Sequence, residues 1–129
     1  MKPEFRAWTE EGKAMYYGVY PFKDNTLLLS YDEIAFDEVP ASDFILMQST
    51  GLVDENGKEI FEGDIVRYEC CFESYVEEVI YDDKHCSFGT IDKNGKTFSF
   101  DALISDFDVD CFEVIGNIYD DYVEITLGE

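Results

Sequence analysis

The stretch from Met47 to Val66, MQSTGLVDENGKEIFEGDIV, constrains the fold of this chain more than any other. Asn56-Gly57 sits inside it, and a type I′ turn, which needs φ > 0 at both central residues, is best supplied by Asn followed by Gly. Gly63-Asp64 then punctuates the chain just before the β-branched pair Ile65-Val66, as expected where a turn feeds a new strand. The stretch therefore predicts a β-hairpin followed by a strand. A second pair, Asn94-Gly95, stands between Phe88-Gly89-Thr90-Ile91 and Thr97-Phe98-Ser99-Phe100, whose alternation puts Phe98 and Phe100 on one face.

The rest of the chain follows the same rhythm. Phe5 to Tyr20 reads as two short strands around Glu11-Gly12-Lys13, and Thr26 to Tyr31 as another after the turn signal Asp24-Asn25. Ile34 to Phe44 is ambiguous, since Pro40 followed by Ala41-Ser42-Asp43 suits either a single helical turn or a bent linker. From Ile45 the expected strands are Ile45–Gln48, Ile60–Phe61, Ile65–Phe72, Tyr75–Tyr81, Ser87–Asp92, Thr97–Phe100, Phe112–Tyr119 and Tyr122–Leu127, with a short helix over Ala102–Phe107. Many short strands at this spacing predict a mostly β fold, a small β-barrel or sandwich with at most one or two short helices. Gly-Asp-Ile-Val entering a long strand suggests an SH3-like main domain over residues 45–129, preceded by an N-terminal β lobe and connection over 1–44.

Composition supports a folded β domain. Among 129 residues 46% are hydrophobic and 16% aromatic, enough to fill a core and biased towards strands. No apolar run approaches the roughly 20 residues of a membrane-spanning helix, and the start MKPEFRAW has no apolar leader, so the protein is expected in the cytoplasm. There Cys70, Cys71, Cys86 and Cys111 would be reduced, each serving most simply as a small buried hydrophobe.

Charge is the outlier. Thirty acidic against nine basic residues leave a formal charge of -21, and Lys96 is the last basic residue. Direct nucleic-acid binding needs Lys and Arg at the phosphates, and an anionic membrane would repel such a chain, so both are expected to be absent. The same charge offers a phosphate-like surface to a basic protein.

No motif carries recognisable chemistry. Asp106-x-Asp108-x-Asp110 begins like an EF-hand loop, yet the sixth and twelfth positions, which need Gly and Glu, hold Cys111 and Asn117. Cys70-Cys71 and His85-Cys86 lack zinc spacing, and adjacent cysteines in a strand project to opposite faces. A Cys-His pair would rely on the lone His85, and thirty carboxylates make any acid–base pairing uninformative. No Walker-type loop, G-x-S-x-G or H-E-x-x-H is present. No cofactor, metal or catalytic residue is expected, and the chain reads as a non-enzyme.

The blocks Phe5-Arg6-Ala7-Trp8 with Met15-Tyr16, Leu46 to Leu52 with Asp54 to Val66, and Phe112 to Tyr119 together resemble the YopX family of phage and prophage proteins. The resemblance implies a β-rich fold, a phage or prophage origin in a host bacterium and an uncharacterised function; it brings no catalytic residues. Gly51, Gly57, Gly63 and Gly116 then fall at turns or bends, with Ile65, Val66, Val114 and Ile118 facing a core. After Asn117-Ile118-Tyr119 the chain departs from the family pattern, in which a proline usually follows.

The function expected is an interaction module binding a host or phage protein, for example a basic nucleic-acid-binding protein, through an acidic surface. Its contact residues would be Asp106, Asp108, Asp110, Asp120, Asp121 and Tyr122. The alternative is a phage assembly subunit that self-associates through sheet edges, a homo-oligomer with Tyr122–Leu127 as the edge. A carboxylate-dependent hydrolase ranks last.

Overall fold

A computed structural model describes residues 4–30 and 35–119. The described chain is mostly β, with two antiparallel sheets and one short helix, and among the described residues neither sheet closes into a barrel. It divides into two compact units between Ser49 and Thr50.

In the first unit β1 (Phe5–Thr9), β2 (Ala14–Pro21), β3 (Thr26–Ser30) and β4 (Phe36–Pro40) form a meander in the sheet order β4-β3-β2-β1. Alternation decides which side chains go in: Leu27 and Leu29 of β3 are buried with Ala7 and Val19, and Phe5, Tyr16, Val39 and Phe44 pack against them. β4 was not legible as a strand. Its side chains are mostly exposed and it ends in Pro40, which an edge strand tolerates because one side of its ladder is unpaired. Ala41–Asp43 is a single 3₁₀ turn, resolving the ambiguity after Pro40.

β5 (Ile45–Val53) is one continuous strand, and the units part within it. Its first half pairs with Phe5–Trp8 of β1, and its hydrogen-bonded neighbour on the other side is β6 (Glu59–Phe61). The second unit adds β7 (Asp64–Cys70), β8 (Glu73–Asp82), β9 (Ser87–Ile91), β10 (Thr97–Ser99), α1 (Phe100–Ser105) and β11 (Glu113–Asn117), with the sheet order β10-β9-β8-β7-β11. Its core joins Ile60, Val66, Tyr68 and Val79 from the strands to Phe100, Leu103, Val109 and Phe112. Ser99 caps α1, its hydroxyl accepting from the Ala102 N–H at 3.0 Å, so the helix starts at Phe100 and takes that ring into the core.

The turns differ from expectation. At Asn56-Gly57 and Asn94-Gly95 only the glycines have positive φ, 80° and 84°, so neither turn is type I′. The reason is an aspartate two residues before each Asn. Asp54 Oδ1 accepts from the N–H groups of Asn56 (2.9 Å) and Lys58 (2.8 Å), and Asp92 Oδ1 accepts from those of Asn94 (2.8 Å) and Lys96 (2.9 Å). Each carboxylate organises a longer loop, Asp-x-Asn-Gly-Lys, whose Gly takes the left-handed position. Positive φ at both central residues of a two-residue hairpin instead occurs at Cys71 (54°) and Phe72 (69°), between β7 and β8. That turn also overturns the expected burial of the cysteines. Cys71, Cys86 and Cys111 are exposed, because turns and irregular backbone place them outside the core, whereas Cys70 at the end of β7 is half-buried and packs against it. The Cys70 and Cys71 sulfurs come within 3.6 Å of each other, since Cys71 has left the strand and alternation no longer separates them.

Candidate functional site

Strand register builds a groove on one face of the second unit. Tyr68 pairs with Tyr75, Val79 with Thr90, and Phe98 with Thr90, so period-two alternation brings Tyr68, Tyr75, Glu77, Thr90 and Phe98 to the same face of β7, β8, β9 and β10. At the open end of this face lies a groove of about 800 Å³, walled by Tyr75, Phe98, Leu103 and Phe107. Phe98 and Phe107 meet edge to face with centroids 6.0 Å apart, and Tyr68 stacks on Tyr75 at 5.5 Å.

Glu77 lines this groove and is only 5% exposed. A carboxylate so placed needs partners, and two buried hydroxyls supply them. Tyr68 Oη donates to Glu77 Oε1 at 2.5 Å, and Thr90 Oγ1 donates to the same oxygen at 2.8 Å. Burial, and then the hydrogen bond to Glu77, push the Tyr68 phenol far above its ordinary range, which keeps it a donor. Glu77 Oε2 has no hydrogen bond or ion pair among the described residues. Lys96 stands at the rim with Nζ 5.1 Å from the Phe98 centroid, a cation–π contact.

The loop after α1 flanks the groove. Its path is fixed by backbone bonds from the Asp106 and Phe107 N–H groups to the Ala102 carbonyl and from Val109 N–H to Leu103. Phe107 thereby reaches the groove wall, and its carbonyl accepts from Cys70 Sγ at 3.9 Å. Burial, the hydrogen bond and charge of Cys71, and then the charge of Asp108 all push the Cys70 thiol up.

The YopX family model, described as YopX protein, matches residues 4–123. The chain belongs to the YopX family. Among solved structures, the crystal structure of protein EF1440 from Enterococcus faecalis is similar at 27% identity, with a TM-score of 0.59, over 92% of this chain and 94% of that one. No curated protein matches. The family match spans both units, so the sheet carrying the groove belongs to the matched region.

Of the residues expected to contact a partner in this YopX-family chain, Asp106, Asp108 and Asp110 are exposed on the loop beside the groove. Asp120, Asp121 and Tyr122 lie outside the described residues, as does the expected strand Tyr122–Leu127. No group of three or more His, Cys, Asp or Glu among the described residues is arranged to hold a metal ion. His85 Nδ1 lies 2.7 Å from Asp82 Oδ2 on the β8–β9 turn, and the Cys86 thiol beside it donates to the Asp83 carbonyl. Sequence reasoning missed Glu77, Tyr68 and Thr90. The one available signal was a Glu on the inward side of an alternating strand, at Tyr75-Val76-Glu77-Glu78-Val79. Among so many acidic residues it does not stand out.

Proposed function

We propose that this YopX-family protein is a non-enzymatic interaction module of phage or prophage origin, acting in the cytoplasm of a host bacterium. It binds a basic segment of a partner protein along the groove of its second unit. The observation that supports this best is an open aromatic groove with the exposed acidic loop Asp106–Asp110 at its side. Carboxylates steer a basic partner from a distance, and desolvated aromatic contacts then hold it. We read the second unit as SH3-like; in support, its five-stranded antiparallel sheet receives β11 beside β7 after a short helix.

The test is association of a deca-lysine peptide with the purified protein, measured at two ionic strengths. Binding should slow markedly as salt rises, and the triple variant D106N/D108N/D110N should associate more slowly at low salt with its circular dichroism unchanged. DNA and RNA should not shift in a gel. Absence of peptide binding, indifference to both salt and the triple substitution, or tight nucleic-acid binding would each overturn the reading.

A second reading, a self-associating assembly subunit, draws support from a different surface. Tyr17, Tyr20, Phe22 and Phe36 of the first unit are all about half exposed, and Tyr20 meets Phe36 edge to face at 6.1 Å beside the β4 edge. Light scattering should then report a mass above that of one chain at micromolar concentration, and a Y20S/F36S variant should lower it. A mass of one chain at every concentration removes this reading.

A further inference from the structure

We propose that the groove receives the ammonium group of a single lysine side chain from the partner protein, set against Glu77 Oε2. This rests on the reading of the groove as the seat of a basic segment and names the group that enters it. Glu77 is nine-tenths buried, and both hydroxyls that satisfy it act on Oε1. Oε2 is left without a protein partner among the described residues and, unlike Arg6 Nε and Trp8 Nε1, is not sealed off from solvent, so it is the carboxylate oxygen that a donor entering the groove can reach.

The positive charges already near do not fill that place. Lys93 and Lys96 line the groove, yet neither pairs with Glu77, and Lys96 spends its charge on the Phe98 ring. Its position shows that this aromatic wall accepts a cation. An anionic ligand would meet the Glu77 carboxylate and the neighbouring acidic loop, which excludes phosphates and acidic peptides.

Lysine fits better than arginine for a geometric reason. A guanidinium gains its advantage by donating two parallel hydrogen bonds to both oxygens of a carboxylate. Here one oxygen is taken by Tyr68 and Thr90, so a single-point donor is what the site accommodates. The methylene stem of a lysine would lie along Phe98, Leu103 and Phe107, apolar surface that suits it.

The experiment compares deca-lysine with deca-arginine on the wild type, on Glu77→Gln and on D106N/D108N/D110N, with melting curves to show that each variant is folded. Wild type should favour deca-lysine several-fold. Glu77→Gln should weaken deca-lysine on the order of tenfold and abolish the preference while keeping the salt dependence. The triple variant should bind both peptides more weakly and keep the preference. As a readout independent of any variant, N-acetyl-lysine methylamide added to the wild type should shift the amide resonances of Glu77, Thr90 and Phe98 and leave those of the first unit in place. Equal binding of the two peptides by wild type, an unchanged preference in Glu77→Gln, or shifts outside the groove would overturn the lysine site alone. Failure of wild type to bind either peptide would overturn the broader reading with it.

Discussion

Asp54 shows what one carboxylate can do for a hairpin. Burial alone would raise its pKa, but N–H groups of Val114, Lys58 and Asn56 donate to it and the Lys58 charge adds to them, so the balance lies below the ordinary 3.8. Oδ1 holds the turn and Oδ2 accepts from Val114 of β11 at 3.0 Å, tying the loop to a strand sixty residues away in sequence. Asp54→Ala leaves three amides without their acceptor and should cost about 2 kcal/mol. A folded-state pKa below the unfolded value means that the contribution is complete above about pH 5 and fades as pH falls through 3.8 and below. Denaturant unfolding of wild type and variant should therefore differ most at pH 7, and the gap should narrow as pH is taken down below 3.8. At this scale legibility was uneven: the glycines of both Asn-Gly loops were plain, whereas the aspartates that set the loop type looked like two more acidic residues among thirty.

Individual elements were easier to read where alternation had a buried side to register. β1, β2, β3, β7, β8 and β9 fall where β-branched and aromatic residues cluster, and the helix falls within two residues of its expected start. β4 was missed because an exposed edge strand leaves no alternation to find, and the Cys71-Phe72 turn because neither residue favours positive φ. That turn keeps its shape through the pairing of β7 with β8, against a strain of about 1 kcal/mol or more. The variant C71N/F72G, which installs the residues a type I′ turn prefers, should raise stability by about 1 kcal/mol in chemical denaturation. An unchanged midpoint would mean that the strain is absorbed elsewhere. Gly89 in β9 gives the opposite expectation. A Cβ there would lie 2.1 Å from the Phe98 carbonyl oxygen and 2.8 Å from Ser99 Cα, both backbone. Gly89→Ala should therefore push β10 off the sheet and cost about 3 kcal/mol, the upper range for single substitutions. Because β10 carries Phe98 and leads into α1, the same variant should also lose the groove's aromatic wall and its peptide binding.

For the whole molecule, the sequence announced its charge and class and concealed its site. Net charge and β content are sums over residues, and sums survive without coordinates. A groove is a coincidence of register: Glu77 meets Tyr68 and Thr90 only because three strands pair at particular offsets, which no local pattern in the chain specifies. The charge leads to the last expectation. At -21 the folded chain repels itself, and ion pairs such as Lys13 with Glu10 and Lys23 with Glu38 are exposed. Exposed pairs of this kind contribute about 1 kcal/mol or less each, so they do not offset a surplus of twenty-one charges. Added monovalent salt shortens the reach of the repulsion to about 8 Å at 0.15 M and relieves the compact state more than the expanded one. Thermal scans from low to moderate sodium chloride should therefore show Tm rising steeply at first and levelling off once the screening length falls below the spacing of surface carboxylates. The same salt weakens attraction to a basic partner, so stability and partner binding should move in opposite directions across one titration. A Tm that falls with salt would mean that attractive pairs outweigh the net repulsion, and the surface would then have to be treated as a paired network.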